Sequence, residues 1–197
     1  NLDRTTSNSG ELMKKLLPLI FIFLTAIAHA ETYSIDNRYS TINFRIQHII
    51  GYATGVFKTM NGTIELNDKK DALVKITGTI DMNSLDTNLA DRDEDLRSER
   101  FFDVKQFPTA VFTSKSISKD KIKGDFNLHG VTKEITLDYQ FLGTALDQFG
   151  HAKTALTLTG TINRKDFGVV YNTKTDDGKW LLGDNVELKI EFEGIQQ

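Results

Sequence analysis

The chain has no cysteine. Disulfides, thiolate metal sites and cysteine nucleophiles are excluded, so stability has to come from the core. No lipid-modified N-terminus is expected either, because it would need a cysteine at the cleavage site. Only two residues are proline, Pro18 and Pro108, and neither marks a Pro-rich linker or a low-complexity segment that could divide the chain. A formal net charge of −3 leaves no basic stripe to hold nucleic acid. The histidines at 29, 48, 129 and 151 are widely separated, with no HExxH or comparable ligand spacing. No GxSxG, P-loop or GxGxxG occurs. The expectation is a protein that is not an enzyme and requires no metal or cofactor.

Residues 13–30 are a different kind of segment. Met13 is followed by Lys14 and Lys15, then an apolar stretch from Leu16 to Ile27, then Ala28 and Ala30 flanking His29. This is the charged, apolar and small-residue order of a secretory signal peptide. The apolar stretch is shorter than the roughly 18 residues of a membrane-spanning helix. Cleavage after Ala30 is expected, with residues 1–12 an unstructured upstream piece and residues 31–197 one exported domain, addressed to a bacterial periplasm.

Beyond Ala30, period-two alternation recurs, the mark of strands with one buried and one wet face. Ile42, Phe44, Ile46 and His48 alternate with polar neighbours, as do Ala72, Val74, Ile76, Gly78 and Ile80. The rhythm returns in Ile122 to Leu128, Ile135 to Tyr139, Leu156 to Ile162 and Val186 to Phe192. Shorter strands are expected near Tyr33 to Asp36, Val56 to Leu66 and Thr109 to Ile117. Turn residues punctuate them at Asn61-Gly62, Asn67-Asp68, Lys119-Asp120, His129-Gly130 and Gly183-Asp184. Eight or nine hairpin-linked strands predict an all-β fold, a barrel or a sandwich, and closure would remove the exposed edges. One stretch breaks the pattern. Asp86 to Arg100 predicts a short helix over the barrel, capped by Asp86 or Thr87, with Leu89 and Leu96 on one face and an Asp93–Arg97 pair.

An eight-stranded barrel is either filled by its own side chains or holds one small ligand. Its inward face here mixes large groups (Phe44, Phe112, Phe126) with small ones (Ala72, Gly78, Ala110, Gly124, Ala152, Gly160). Small inward residues leave volume and aromatics give it an apolar wall; alternatively, glycines serve bends and aromatics fill the space. A strand of about ten residues tilted near 40° stands roughly 25 Å tall, enough for most of a lipid tail. At ~0.3 kcal/mol per heavy atom, a buried twenty-carbon segment would contribute on the order of 6 kcal/mol.

Several runs, in order, resemble one family. They are Tyr33-Ser34-Ile35-Asp36, Phe44 to His48, Gly55-Val56-Phe57, Asp86-Thr87, Arg92-Asp93, Leu96-Arg97-Ser98 and Phe101-Phe102-Asp103. Phe107-Pro108, Phe112-Thr113-Ser114, Gly124 to Leu128, His129-Gly130-Val131-Thr132, Arg164 to Gly168 and Gly183 to Val186 follow. This succession is similar to the YceI-like exported lipid-binding proteins and covers nearly all of residues 31–192. The resemblance implies an extended eight-stranded, lipocalin-like antiparallel barrel with a helical insertion. Its apolar tunnel would hold a polyisoprenoid or similar amphiphile: an isoprenoid quinone or its precursor, a polyprenyl phosphate or a fatty-acid amide. The bound lipid would be the ligand, with a transient membrane contact or a homodimer as further partners.

The expected tunnel wall comprises Ile42, Phe44, Ile46, His48, Phe57, Val74, Ile76, Phe101, Phe102, Phe112, Phe126, Leu128, Leu156, Leu158, Phe167 and Leu188. His48 reads either as a hydrogen-bonded core histidine or as a head-group contact. Arg164 and Asp166 read as a salt bridge pinning a corner or as a head-group clamp. Phe101 and Phe102 either pack the lid or gate the tunnel. The acidic cluster Asp91, Asp93, Glu94 and Asp95, interleaved with Arg92 and Arg97, reads as a solvated helix face. Two other functions remain on this reading: a stress-response or structural module with a dry core and a protein partner, and an enzyme acting on an amphiphile through His48 or Arg164 and Asp166.

Overall fold

The structure is a computed structural model and describes residues 30–197. The expected upstream piece and signal peptide lie outside these residues. The strands are β1 (Glu31–Ile35), β2 (Thr41–His48), β3 (Gly51–Phe57), β4 (Met60–Leu66), β5 (Leu73–Asp81), β6 (Leu85–Asp86), β7 (Thr109–Ile117), β8 (Lys121–Leu128), β9 (Val131–Leu146), β10 (Ala152–Asn163) and β11 (Leu182–Gln196). A single α-helix among the described residues, α1 (Ala90–Arg97), lies between β6 and β7.

Each strand in the ring β1-β4-β5-β7-β8-β9-β10-β11 pairs antiparallel with the next, and β1 pairs with β11 to close it. The wall is therefore an eight-stranded antiparallel barrel. β2, β3 and β6 are not additional staves. β1 and β2 lie end to end along β11, as Tyr33 faces Gln196 and Ile46 faces Val186. β3 and β4 run back beside them, and β6 continues β5 past a 3-10 turn at Met82–Ser84. Three kinked long strands thus extend one side of the barrel towards α1.

The kink between β1 and β2 is held by polar groups. The Asp36 amide donates to the Glu193 carbonyl at 2.8 Å, and Ser40 Oγ accepts from the Glu193 amide at 3.0 Å. Asp36 is buried and bonds Arg38 and Lys153, so the interruption of the strand leaves no orphaned carboxylate.

Two expected turns lie inside strands. Asn61-Gly62 sits within β4, where a Cβ on Gly62 would come within 2.1 Å of the Thr77 carbonyl and 2.8 Å of Ile35. Glycine is there for close approach between strands, not for a reversal. Gly183-Asp184 sits in β11 at an irregularity opposite β2. The hairpin preceding β4 instead turns at Ile49-Ile50, between His48 and Gly51. His129-Gly130 is the expected two-residue turn, with φ of 52° and 75°.

The helix is shorter than expected and differently held. Leu89 precedes it without a side-chain cap and is exposed, whereas Leu96 packs on the core, so the two do not share a face. Asp93 turns back to Thr87, and Arg97 reaches the Asn83 and Leu85 carbonyls, so the expected Asp93–Arg97 pair does not form. Backbone groups left open by the bent chain compete for both charges.

Candidate functional site, an apolar blind tunnel

Inside the barrel is a cavity of about 500 Å³. Its lower wall is set by Ile35, Met60, Ile76, Leu137, Leu158 and Phe192, and beneath these the lumen is occupied by buried core side chains. Tyr33, Ile64, Leu66, Leu73, Ile122 and Leu156 are buried there without lining the cavity. The strand registers put this packing at the end where β1 begins and β11 finishes. At the other end the cavity reaches His48, Thr87, α1 and the segment 164–182. The space is a tunnel with one floor and one mouth.

The period-two reading places most of the expected wall on this cavity: Ile42, Phe44, Ile46, His48, Phe57, Ile76, Phe112, Phe126, Leu128, Leu158 and Leu188, with Phe101 and Phe102 above them. Three residues are corrections. Val74 is 52% exposed, because Leu66 faces Leu73 and Glu65 faces Lys75, leaving Val74 as the extra residue of a bulge. The bulge reverses the phase of the strand, so Leu73 and Ile76 face inward, three residues apart. Leu156 points inward but belongs to the floor. Phe167 lies on the 3-10 turn Arg164–Phe167, buried edge-on against Phe126 with ring centroids 5.5 Å apart.

The small inward residues divide into two kinds. A Cβ on Gly78 would meet nothing within 4 Å, so this glycine opens bore. At Gly124 a Cβ would strike the Thr113 carbonyl at 2.4 Å and the Phe112 ring at 2.6 Å; at Gly160 it would strike Leu137 at 2.5 Å. There the neighbouring side chains already fill the space. Both sequence-level readings of the glycines therefore hold, at different positions.

The mouth is aromatic and then polar. Phe44 stacks at a tilt on Phe57 (5.6 Å), Phe57 meets Phe102 edge-on (6.3 Å), and Phe101 meets Tyr171 edge-on (5.0 Å). Arg100 lies over the Tyr171 ring at 4.5 Å, and its hydrogen-bonded pairing with Asp95 makes the guanidinium hold its proton more firmly than usual. Asp91, Arg92, Asp95 and Arg100 border the cavity, so the charged helix face is also the tunnel's rim.

His48 is half-buried at this mouth, and its ring makes no hydrogen bond with another described residue. Among the described residues, nothing holds it as a hydrogen-bonded core histidine. Arg164 is a corner pin, but not through Asp166. Its guanidinium donates to the carbonyls of Gly183 (2.9 Å), Val169 (2.7 Å) and Tyr171 (2.8 Å), with Asp184 at 3.4 Å. Burial pushes its affinity for a proton down and Asp184 offsets part of that. Asp166 is exposed and off the cavity, and no Arg164–Asp166 bridge forms.

Ile80, Ile135, Leu137, Ile162, Ile190 and Phe192 also line the cavity, and all were on the alternating faces. Met82, Val169, Tyr171 and Leu181 come from irregular segments with no periodicity to announce them. Among the described residues, no group of histidine and carboxylate side chains could hold a metal ion.

Comparison with known proteins agrees with this geometry. The YceI-like domain model matches residues 33–194. The protein YceI of Salmonella agona (strain SL483) is 40% identical, over 94% of this chain and 100% of that protein. The crystal structure of BcnA from Burkholderia cenocepacia superposes with a TM-score of 0.67 at 21% identity, covering 81% of this chain and 98% of that one. A polyisoprenoid-binding domain from Saccharophagus degradans, implicated in plant cell wall breakdown, gives a TM-score of 0.61 at 16% identity over 84% of this chain and 98% of that domain.

Proposed function

The chain belongs to the YceI-like family, and from that premise we propose that its barrel holds one long-chain lipid, a polyisoprenoid or similar amphiphile, in an aqueous compartment. The observation that carries this reading is the blind apolar cavity of about 500 Å³, walled by aromatic and aliphatic side chains and polar only at its mouth. An apolar chain displaces no hydrogen bond on entering such a space, and every methylene buried contributes about 0.8 kcal/mol. The fold shared with a domain described as polyisoprenoid-binding is in keeping with this chemical class.

The geometry favours one orientation. The tail lies towards the floor at Tyr33 and Leu156, and the head group stays at the mouth near His48, Arg92 and Arg100. Arg164 is spent on three carbonyls and serves as a positioning group for the 164–182 segment. Isoprenoid quinones, polyprenyl phosphates and fatty-acid amides all satisfy this layout. The barrel would shield or ferry its lipid through a periplasm, the address expected from residues 13–30.

Organic extraction and native mass spectrometry of the protein purified from a bacterial host test the reading. A stoichiometric long-chain lipid is expected. Repeated recovery of empty protein that also fails to take up added polyprenyl chains would overturn it and favour a module acting through a protein partner.

A further inference from the structure

The end of the barrel that opens the tunnel also carries exposed apolar side chains. Ile49 and Ile50 form the tip of the β2–β3 hairpin. Asn-Gly or Asp-Gly would meet the left-handed backbone of such a turn without strain. Ile49 instead stands at φ 55°, costly for a β-branched residue, and Ile50 beside it is 88% exposed. Ile49, Val170, Trp180 and Leu182 line one shallow groove, and Val170 and Trp180 are each about 60% exposed. The Ile49 amide donates to the Leu181 carbonyl at 2.9 Å, tying the hairpin tip to the loop that bears Trp180. Leu182 lines both this groove and the tunnel, so the apolar rim is continuous with the lumen.

We propose that this rim docks on the face of a lipid bilayer, placing Ile50, Val170 and Trp180 among the head groups and the tunnel mouth against the membrane. Three observations select a bilayer as the occupant. Lys174 sits over the Trp180 ring with its nitrogen 4.9 Å from the centroid, and an indole beside an ammonium suits the level where acyl chains meet head groups. Lys165 pairs with Asp184 and Lys179 with Asp177, so the rim meets the surface without a run of like charge, and the contact is driven by apolar burial. The opposite end of the tunnel is closed by packed side chains, so a chain insoluble in water can enter or leave only past this rim. The use of the contact rests on the lipid-holding reading; the contact itself needs no cargo.

Trp180 is the only tryptophan of the chain and reports on its own surroundings. The experiment adds phosphatidylcholine vesicles to the protein and follows co-sedimentation and tryptophan emission. Expected are a blue shift, quenching by brominated acyl chains, and an affinity that changes by less than about twofold between low and high salt. Ile50→Asp and Val170→Asp, each checked by thermal unfolding, should weaken binding roughly 10-fold or more. Phe149→Asp, at an exposed aromatic of the far end, should leave it unchanged. Unshifted emission with protein left in the supernatant overturns the proposal. So does binding abolished by salt, an equal loss in Phe149→Asp, or a blue shift without vesicles in a protein that scatters light as a dimer, which would assign the rim to a second copy. A lipid extracted from protein that ignores vesicles refutes the docking alone; vesicle binding by protein that never holds a lipid refutes the cargo reading alone.

Discussion

Asp93 reaches back from the first turn of α1 to Thr87: its Oδ1 accepts from the Thr87 amide at 2.8 Å and from the Thr87 hydroxyl at 2.5 Å. The same hydroxyl accepts from Arg92 Nε at 2.8 Å, and Arg92 also bonds the Thr87 carbonyl at 2.7 Å. Both Thr87 and Asp93 are buried, so the start of the helix over the tunnel mouth is tied by a satisfied polar knot, while Arg97 ties its other end to the Asn83 and Leu85 carbonyls.

Removing the carboxylate strands two buried donors. Asp93→Ala should cost about 1–3 kcal/mol in equilibrium unfolding. Because the knot holds the lid rather than the barrel, hydrogen exchange should accelerate in residues 87–104 more than in β8 to β11. Uniform acceleration across the barrel would show that the helix is not separately anchored.

Gly78 and Gly124 both face inward, yet they should respond oppositely to enlargement. Gly78→Leu projects into the open bore and should fold with stability within about 1 kcal/mol of the parent while displacing most of the bound lipid. Gly124→Leu must move the Phe112 ring and a Thr113 carbonyl, at a cost of about 1–3 kcal/mol or more. Lipid content by extraction and midpoints by denaturant titration separate the two. Full lipid occupancy in Gly78→Leu would mean the chain lies elsewhere.

Much of this tunnel was legible because alternation assigns faces. Phe44, Ile46 and His48 on one strand, and Phe126 and Leu128 on another, needed only the period of two. Alternation does not assign depth, which is why Leu156 was expected on the wall and sits in the floor. It also fails wherever a strand carries an extra residue: the bulge at Val74 costs nothing in composition, yet it turns Ala72 and Val74 outward and Leu73 inward, while Ile76, Gly78 and Ile80 keep the expected face. The polar knots were the least legible part. Asp93 prefers Thr87 to Arg97, and Arg164 prefers three carbonyls to Asp166, because the open groups of a bent backbone are known only once the chain is folded. Tyr171 and Leu181 lie in an irregular segment that no periodicity connects to the mouth.

Asp36 should make the protein acid-sensitive. Arg38 donates from Nε at 2.9 Å and from a terminal nitrogen at 2.7 Å, and Lys153 donates at 3.2 Å. These bonds hold the Asp36 carboxyl well below the ordinary carboxylate range, although burial alone would raise it. A carboxyl lowered in the folded state stabilises it above the unfolded value near 4, and that contribution is lost as pH falls through and below about 4. Stability followed from about pH 6 down to about pH 2 should therefore fall less steeply in Asp36→Asn than in the parent. Arg38 is largely exposed, so added salt should shrink its share, while the Lys153 share should persist. Parallel pH profiles for the two proteins would remove Asp36 from the account.

A closed floor implies a limit on tail length. From Leu182 at the mouth to Phe192 above the floor, β11 climbs ten residues, which at ~3.3 Å each and a tilt near 40° gives a depth of about 25 Å. Carbon–carbon bonds of ~1.5 Å in a zigzag advance ~1.25 Å each, so an extended tail of about twenty carbons reaches bottom. A longer tail must fold back or leave its excess at the mouth, giving up ~0.8 kcal/mol for each methylene left in water. Affinity measured along a series of prenyl chains should climb with length and then flatten near that size. Leu156→Ala removes part of the floor without touching the wall; it should destabilise the barrel by about 2–5 kcal/mol and move the plateau to longer chains. A plateau unmoved in a variant that still folds would mean the tail stops above the packed end, held by the ring of Ile76, Leu158 and Phe192.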